Sequence, residues 1–193
     1  MITLAGQLAI RTIHGKNGDF NVGRLSTNIG EFYVKDADLE QYPEGKYDGD
    51  FIITEIFQYS YSSGNRSVTE TRARLGGMTL SGTDALSNDE AREMAPQEVD
   101  PIDEAPSRVV IPQTSDDPLA NDQQYGYSNE DAIASENDDA ALFGVLYPIG
   151  QTVKLDSTVD RKLLRRQKER LEQLGYRFDF NNQIWNSGIN QNA

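Results

Sequence analysis

The chain of 193 residues carries a formal net charge of −13, from 31 acidic against 18 basic side chains, with no cysteine and His14 as its single histidine. That composition excludes a disulfide framework and a thiolate metal site, and a histidine-based zinc site or Ser-His-Asp arrangement would have only His14 to use. A hydrophobic share of 37% is low for a chain packed throughout.

The charge is concentrated. Residues 81–140 hold 16 of the acidic side chains and only Arg92 and Arg108 as cations, while the flanks carry 8 cations against 10 anions (residues 1–80) and 8 against 5 (residues 141–193). The acidity of the whole therefore does not argue against a nucleic-acid partner for either flank. An α+β chain in three parts is expected: a β-module at 1–80, a disordered acidic linker at 81–140 and a helix-hairpin module at 141–188. A last module of about 50 residues is marginal alone and is expected to dock on the first or on a partner. No apolar run approaches the roughly 20 residues of a membrane span. MITLAGQLAI lacks a basic leader and alternates, so it reads as a strand and not as a signal peptide, and a cytoplasmic location without membrane contact is expected.

In chain order, residues 2–13 alternate over their second half, with Leu8 and Ile10 on one face and Ala9, Arg11 and Ile13 on the other, and Gly6 permits a bend. Lys16-Asn17-Gly18-Asp19 carries the Asn-Gly hairpin signal, in which both residues tolerate positive φ. Strands are expected at 19–26 and 31–36, then a loop or single helical turn through Pro43 and Gly45. A long strand follows at 46–61, with Tyr47, Phe51, Ile53 and Phe57 on one face and Ile52, Thr54 and Ile56 on the other. Residues 66–75 form the fifth strand. Five strands with a connection after the third match a small antiparallel barrel or sheet, the barrel being of the oligonucleotide-binding type.

From Leu80 to Ala140 the apolar pattern lapses, and such a segment cannot bury enough surface to offset its ordering entropy. Local order is expected at the capping box Ser87-Asn88-Asp89-Glu90, which opens a short helix through Met94, and at Tyr125-Gly126-Tyr127. The β-prone run Arg108-Val109-Val110-Ile111 could add to a sheet edge, making Val109, Val110 and Ile111 candidate partner contacts. The linker is read as a spacer or as an acidic strip that competes with nucleic acid for a basic groove.

Residues 138–147 suggest a short helix burying Leu142, Phe143 and Leu146, and residues 151–155 a strand. Asp156 or Ser157 is expected to cap a helix running to Leu174, with Gly175 as its stop. Its buried stripe would be Val159, Leu163, Leu171 and Leu174, with Leu164 beside it. The opposite surface would carry Arg161, Lys162, Arg165, Arg166, Lys168 and Arg170, either a phosphate-ready strip or cations paired with the chain's own acidic linker. Residues 176–185 read as a hairpin whose aromatic face packs on the helix, with Trp185 as core or docking surface.

No Walker loop, dinucleotide fingerprint or HExxH occurs, and no catalytic residue, metal site or cofactor is expected. Asp36, Asp38 and Glu40 alternate at a loop but are too few for a calcium cage. The stronger pattern sets Phe20, Phe32, Tyr33, Tyr59 and Tyr61 among Arg11, Arg24, Arg72 and Arg74: stacking platforms flanked by cations, as single-stranded nucleic acid requires. Half of those aromatics must also fill the core. The candidate nucleic-acid contacts are Arg11, Arg24, Tyr59, Tyr61, Arg72, Arg74, Arg161, Lys162, Arg165 and Arg166.

ITLAGQLAIRTIHGKNGDFNVGRLSTNIGEFYVKDADLEQYPEGKYDGDF, RARLGGMTL and LYPIGQTVKLDSTVDRKLLRRQKERLEQLGYRFDFNNQIW resemble the bacterial family catalogued as domain of unknown function 3275. The resemblance covers both flanks and leaves the linker free to vary. It implies a protein of integrative and conjugative elements, often encoded near a single-strand-binding protein, with a role in DNA processing or element regulation and no assigned catalytic residue. The expected partners are single-stranded DNA, or single-strand-binding and other DNA-processing proteins of the element. The alternative is a regulatory adaptor of element activation that touches proteins only.

Overall fold

A computed structural model describes residues 1–63, 66–87, 92, 94, 99–104 and 136–188. Strands β1 (Ile2–Gly15), β2 (Gly18–Thr27), β3 (Gly30–Val34), β4 (Gly45–Ser63) and β5 (Arg66–Asp84) close into a barrel in the order β1-β2-β3-β5-β4. All pairs are antiparallel except β3 and β5, which meet in parallel at Tyr33 and Arg72. The expected antiparallel barrel is therefore corrected to a mixed one. The segment after β3 crosses the barrel end as a 3-10 turn (Ala37–Gln41) and delivers β4 to β1, so β5 fills the gap beside β3.

Leu8, Ile10, Leu25, Phe32, Val34, Phe51 and Ile53 fill the interior, and Leu39 of the 3-10 turn plugs its end. Gly23 makes room for that plug, since a Cβ there would lie 2.9 Å from both Leu39 Cδ1 and Leu8 Cδ1. In the first hairpin Lys16 and Asn17 form the turn, and of the Asn-Gly pair Gly18 takes positive φ, at +93°.

The fifth strand, expected at 66–75, runs on through Gly76-Gly77 to Asp84. Gly77 adopts φ +156° and the ladder skips one residue there, while β4 skips Thr54 two pairs along. Each bulge kinks its strand and lets a hairpin of two 19-residue strands curl around the barrel. The shift at Thr54 also reverses the faces. Tyr47, Phe51 and Ile53 are buried inside, but Phe57 turns outward with Tyr59 and Tyr61, and Ile56 is 46% exposed.

The C-terminal part comprises α1 (Glu136–Phe143), a 3-10 turn at Gly144–Leu146, β6 (Thr152–Val153), α2 (Arg161–Gln173), β7 (Tyr176–Asp179) and β8 (Ile184–Ser187), the strands ordered β6-β8-β7. Helix α2 starts later than expected. Asp160 caps it, its Oδ1 accepting from the Lys162 and Leu163 amides at 2.9 and 3.3 Å, while Asp156 accepts from Thr158 in a preceding turn. Leu164, Gln167 and Leu171 form the buried face, with Phe143, Val153, Leu155 and Trp185 around it; Leu163 is half-buried and Leu174 is exposed.

This small module docks on the barrel end. Phe178 packs edge-on against Tyr42 at 4.9 Å between centroids, Phe180 against Tyr47 at 5.7 Å, and Trp185 Nε1 donates to Gln41 Oε1 at 3.0 Å. Burial raises the phenol pKa of Tyr47 to about 12 and moves Tyr42 upward as well. Both rings stay neutral and apolar in this contact. Among the described residues no helix is long and apolar enough to cross a membrane.

Candidate nucleic-acid interface

Cross-strand partners point to one face of a sheet, so the register lines up Arg24, Tyr33, Arg72 and Phe57 in a row across the outside of β2, β3, β5 and β4. Tyr59 and Tyr61 are the next outward positions of β4, their rings 6.2 Å apart. The Arg72 guanidinium lies 3.8 Å from the Tyr59 ring centroid, Lys35 Nζ 5.8 Å from that of Tyr61 and the Arg74 guanidinium 5.4 Å from that of Phe57. Of these side chains Lys35, Phe57, Tyr59, Arg72 and Arg74 line a cleft of about 340 Å³, joined there by Arg161 of α2. Strand-five cations and the first residue of helix α2 thus meet in one place.

The cleft already holds an anion. Glu104 accepts from Arg72 Nη1 at 2.6 Å and Nη2 at 2.7 Å, and from Lys35 Nζ at 3.1 Å. Glu70 adds a second carboxylate, 2.9 Å from Arg72 Nε and 3.7 Å from Lys35 Nζ. Burial opposes charge on Arg72 and on Glu104, but Glu104 and Glu70 together outweigh it and raise the Arg72 pKa, while Arg72 and the Lys35 charge lower that of Glu104.

Nearby, Asp100 accepts from Arg165 Nη1 and Nη2 at 3.0 and 2.9 Å, and Asp103 lies 3.3 Å from Lys16 Nζ and 3.0 Å from Asn17 Nδ2. Burial pushes the Asp100 carboxyl up, yet the Arg165 contacts bring it below the usual carboxylate range. Met94 closes over Phe20 and Val22, so both are buried on the outer side of β2 and Phe20 is withdrawn from the candidate stacking platforms.

A neighbouring groove of about 870 Å³ runs between the first hairpin and α2, lined among others by Lys16, Lys162, Arg165, Arg166 and Lys168. Lys162 and Arg166 are exposed in it.

The other candidates scatter. Arg11 is half-buried on β1 with Nη1 buried and unbonded among the described residues, Arg24 pairs with Glu31 at 2.7 Å, and Arg74 pairs with Glu55 at 3.2 Å on the surface. Arg161 and Arg165 do not face solvent opposite the buried stripe as expected. They turn to the barrel, bonding Glu40 Oε1 at 3.0 and 2.9 Å, and Arg161 also donates to the Lys35 carbonyl. Arg170 pairs with Asp139 at 2.7 Å. Trp185 is core, 2% exposed, so it offers no surface to a partner. Asp36 accepts from the Leu75 amide at 2.7 Å while Glu40 serves α2, so the alternating acids at that loop point to different tasks. The capping box, Val109-Val110-Ile111 and Tyr125-Gly126-Tyr127 lie outside the described residues, apart from Ser87 at the edge of the first.

Lys35, Asp100 and Glu104 were missed in the sequence, and Glu40 was weighed there only as a metal ligand. Only Asp100-Pro-Ile-Asp103-Glu104, three carboxylates in five residues around a proline, offered a signal for Asp100 and Glu104.

Fold and site together define a closed mixed barrel with a cation-aromatic cleft on its outer face and a helix-and-sheet module at its end. The chain belongs to the family described as protein of unknown function (DUF3275), which it matches over residues 2–187. No curated protein and no solved structure matches it.

Proposed function

We propose that the protein is a non-enzymatic accessory protein of a mobile genetic element, whose barrel is of the oligonucleotide-binding type and binds single-stranded nucleic acid across its outer face. The strand order, the parallel β3–β5 contact and the turn that crosses the barrel end between β3 and β4 support the barrel type. In such barrels ligands lie on the β2–β3 face between the first and last hairpin loops. The observation that carries the reading is the row Phe57, Tyr59 and Tyr61 with Arg72 stacked 3.8 Å from Tyr59 and Lys35 beside it. Aromatic faces accept any base, and the adjoining cations accept the phosphates.

Titration with a fluorescent single-stranded oligonucleotide at low salt tests this. Binding is expected, weaker at higher salt, and Tyr59→Ala with Tyr61→Ala should remove it at about 1–3 kcal/mol for each base that loses its stacking partner. Absence of binding by both the native protein and Glu104→Gln would overturn the reading in favour of an adaptor that contacts proteins only.

A further inference from the structure

Four cations from separate elements, Lys16 in the first turn, Lys35 after β3, Arg72 in β5 and Arg165 in α2, converge on one five-residue stretch of the acidic middle. Asp100, Asp103 and Glu104 each take a different member of the set. Carboxylate on guanidinium repeats the two-pronged geometry of phosphate on guanidinium, and Glu104 on Arg72 has it in full, with contacts of 2.6 and 2.7 Å. The carboxylates of this short turn therefore engage cations that the phosphates of a single strand could take in their place.

The character of these contacts separates an occupant from a structural strut. Pro101 and Ile102 are only half-buried, so the stretch is held chiefly by ion pairs and by the turn bonds of Asp100 to Ile102 N and Asp103 N. Ion pairs are contacts that a polyanion can replace one for one. Apolar burial is not. The neighbouring groove with exposed Lys162 and Arg166 gives a strand a place to dock beside Arg165 before Asp100 leaves it.

We propose that residues 99–104 are a built-in, displaceable occupant of the nucleic-acid cleft, with Asp100, Asp103 and Glu104 standing in for backbone phosphates on Arg165, Lys16 and the Arg72–Lys35 pair. This rests on the nucleic-acid reading above and adds to it a closed resting state, in which affinity is reduced by the fraction of molecules whose cleft is open. A single strand binds by exchanging its phosphates for the three carboxylates.

The test uses the full chain in two ways. Asp100→Asn, Asp103→Asn and Glu104→Gln together should tighten binding of an oligothymidylate about tenfold or more if the cleft is closed in nine molecules of ten. In the native protein, cleavage after Glu104 by a glutamate-specific protease should be slow in the free state and accelerate when oligothymidylate is added; this needs no substitution and so stands even where the variant folds poorly. Equal affinities together with unchanged protection of Glu104 would mean that the stretch is a strut, and the proposal would fall while nucleic-acid binding stood. Failure of both native and variant proteins to bind any oligonucleotide would remove the nucleic-acid reading itself and the occupant's role with it.

Discussion

Two clusters of ion pairs, built from the same side-chain types, differ in where their carboxylates come from. At the barrel end Glu40 sits in the folded 3-10 turn, takes Arg161 and Arg165 of α2 and accepts the Asn21 amide at 3.2 Å. On the barrel face Glu104, from the acidic middle, takes Arg72 and Lys35. The first carboxylate is positioned by the elements that it joins. The second comes from outside both the barrel, whose cations it takes, and the helix module, and Glu70 stays behind with Arg72 and Lys35 when Glu104 leaves. Chemistry alone does not make an ion pair permanent; the origin of its partners decides.

The largest effect that would sharpen this contrast is expected at the docking contact. Trp185→Ala removes a ring enclosed by Phe143, Leu164 and Leu171 and frees Gln41, and should cost about 3–5 kcal/mol in urea unfolding. Glu40→Gln should cost nearly as much, about 3 kcal/mol, because two half-buried guanidinium groups lose a charged partner in a place that water reaches poorly. Glu104→Gln should cost far less, about 1 kcal/mol, since Glu70 still neutralises Arg72. A cost for Glu104→Gln equal to that for Glu40→Gln would erase the distinction.

The barrel was legible where local chemistry governs it. Alternation in 2–13, the Gly18 turn and the apolar run at 51–53 all placed strands correctly. What could not be read was the consequence of bulges. Gly76-Gly77 looks like a stop because glycine weakens a strand, and only pairing with a 19-residue partner turns it into a bend. The skipped Thr54 then moved Phe57 from the face it was expected to share with Tyr47, Phe51 and Ile53 to the outer row with Tyr59 and Tyr61, so a register shift of one residue assembled much of the candidate site. On α2 the apolar stripe was read one position off, because Gln167 fills a core position by donating to the Leu142 carbonyl at 2.9 Å. The cations beside that stripe consequently face Glu40 and Asp100. Long-range carboxylates carry no periodic signal, and Asp100 and Glu104 looked like solvent-exposed members of an acidic run.

Acid should separate the two clusters without mutation. Asp100 and Glu104 have pKa values below their ordinary ones in the closed state. Closure is therefore at full strength above the ordinary values of about 3.9 and 4.3, and is lost as pH falls through the depressed values beneath them. Hydrogen exchange at the Ile102 amide, bonded to Asp100 Oδ1 at 3.0 Å, reports that opening. Protection at Ile102 relative to the intrinsic rate should be constant from neutral pH to about 5 and fall below 4. If it falls instead between pH 6 and 7, a group other than these carboxylates controls the segment.

The smallest effect on stability carries the sharpest functional contrast. Lys162 and Arg166 lie exposed in the groove, on the same helix as the half-buried Arg161 and Arg165. Replacing both by glutamine should change unfolding free energy by no more than about 0.5 kcal/mol, as for exposed sites without structural partners. If they receive the first phosphates of an incoming single strand, the slope of log affinity against log salt should flatten by about 0.7 for each phosphate that is no longer neutralised. Arg161→Gln should do the reverse, since its guanidinium is engaged by Glu40 and the Lys35 carbonyl: stability falls and the salt slope of whatever binding remains is unchanged. Equal slopes for the native protein and Lys162→Gln with Arg166→Gln would take the helix out of the binding path and confine the strand to the face formed by Tyr59, Tyr61 and Arg72.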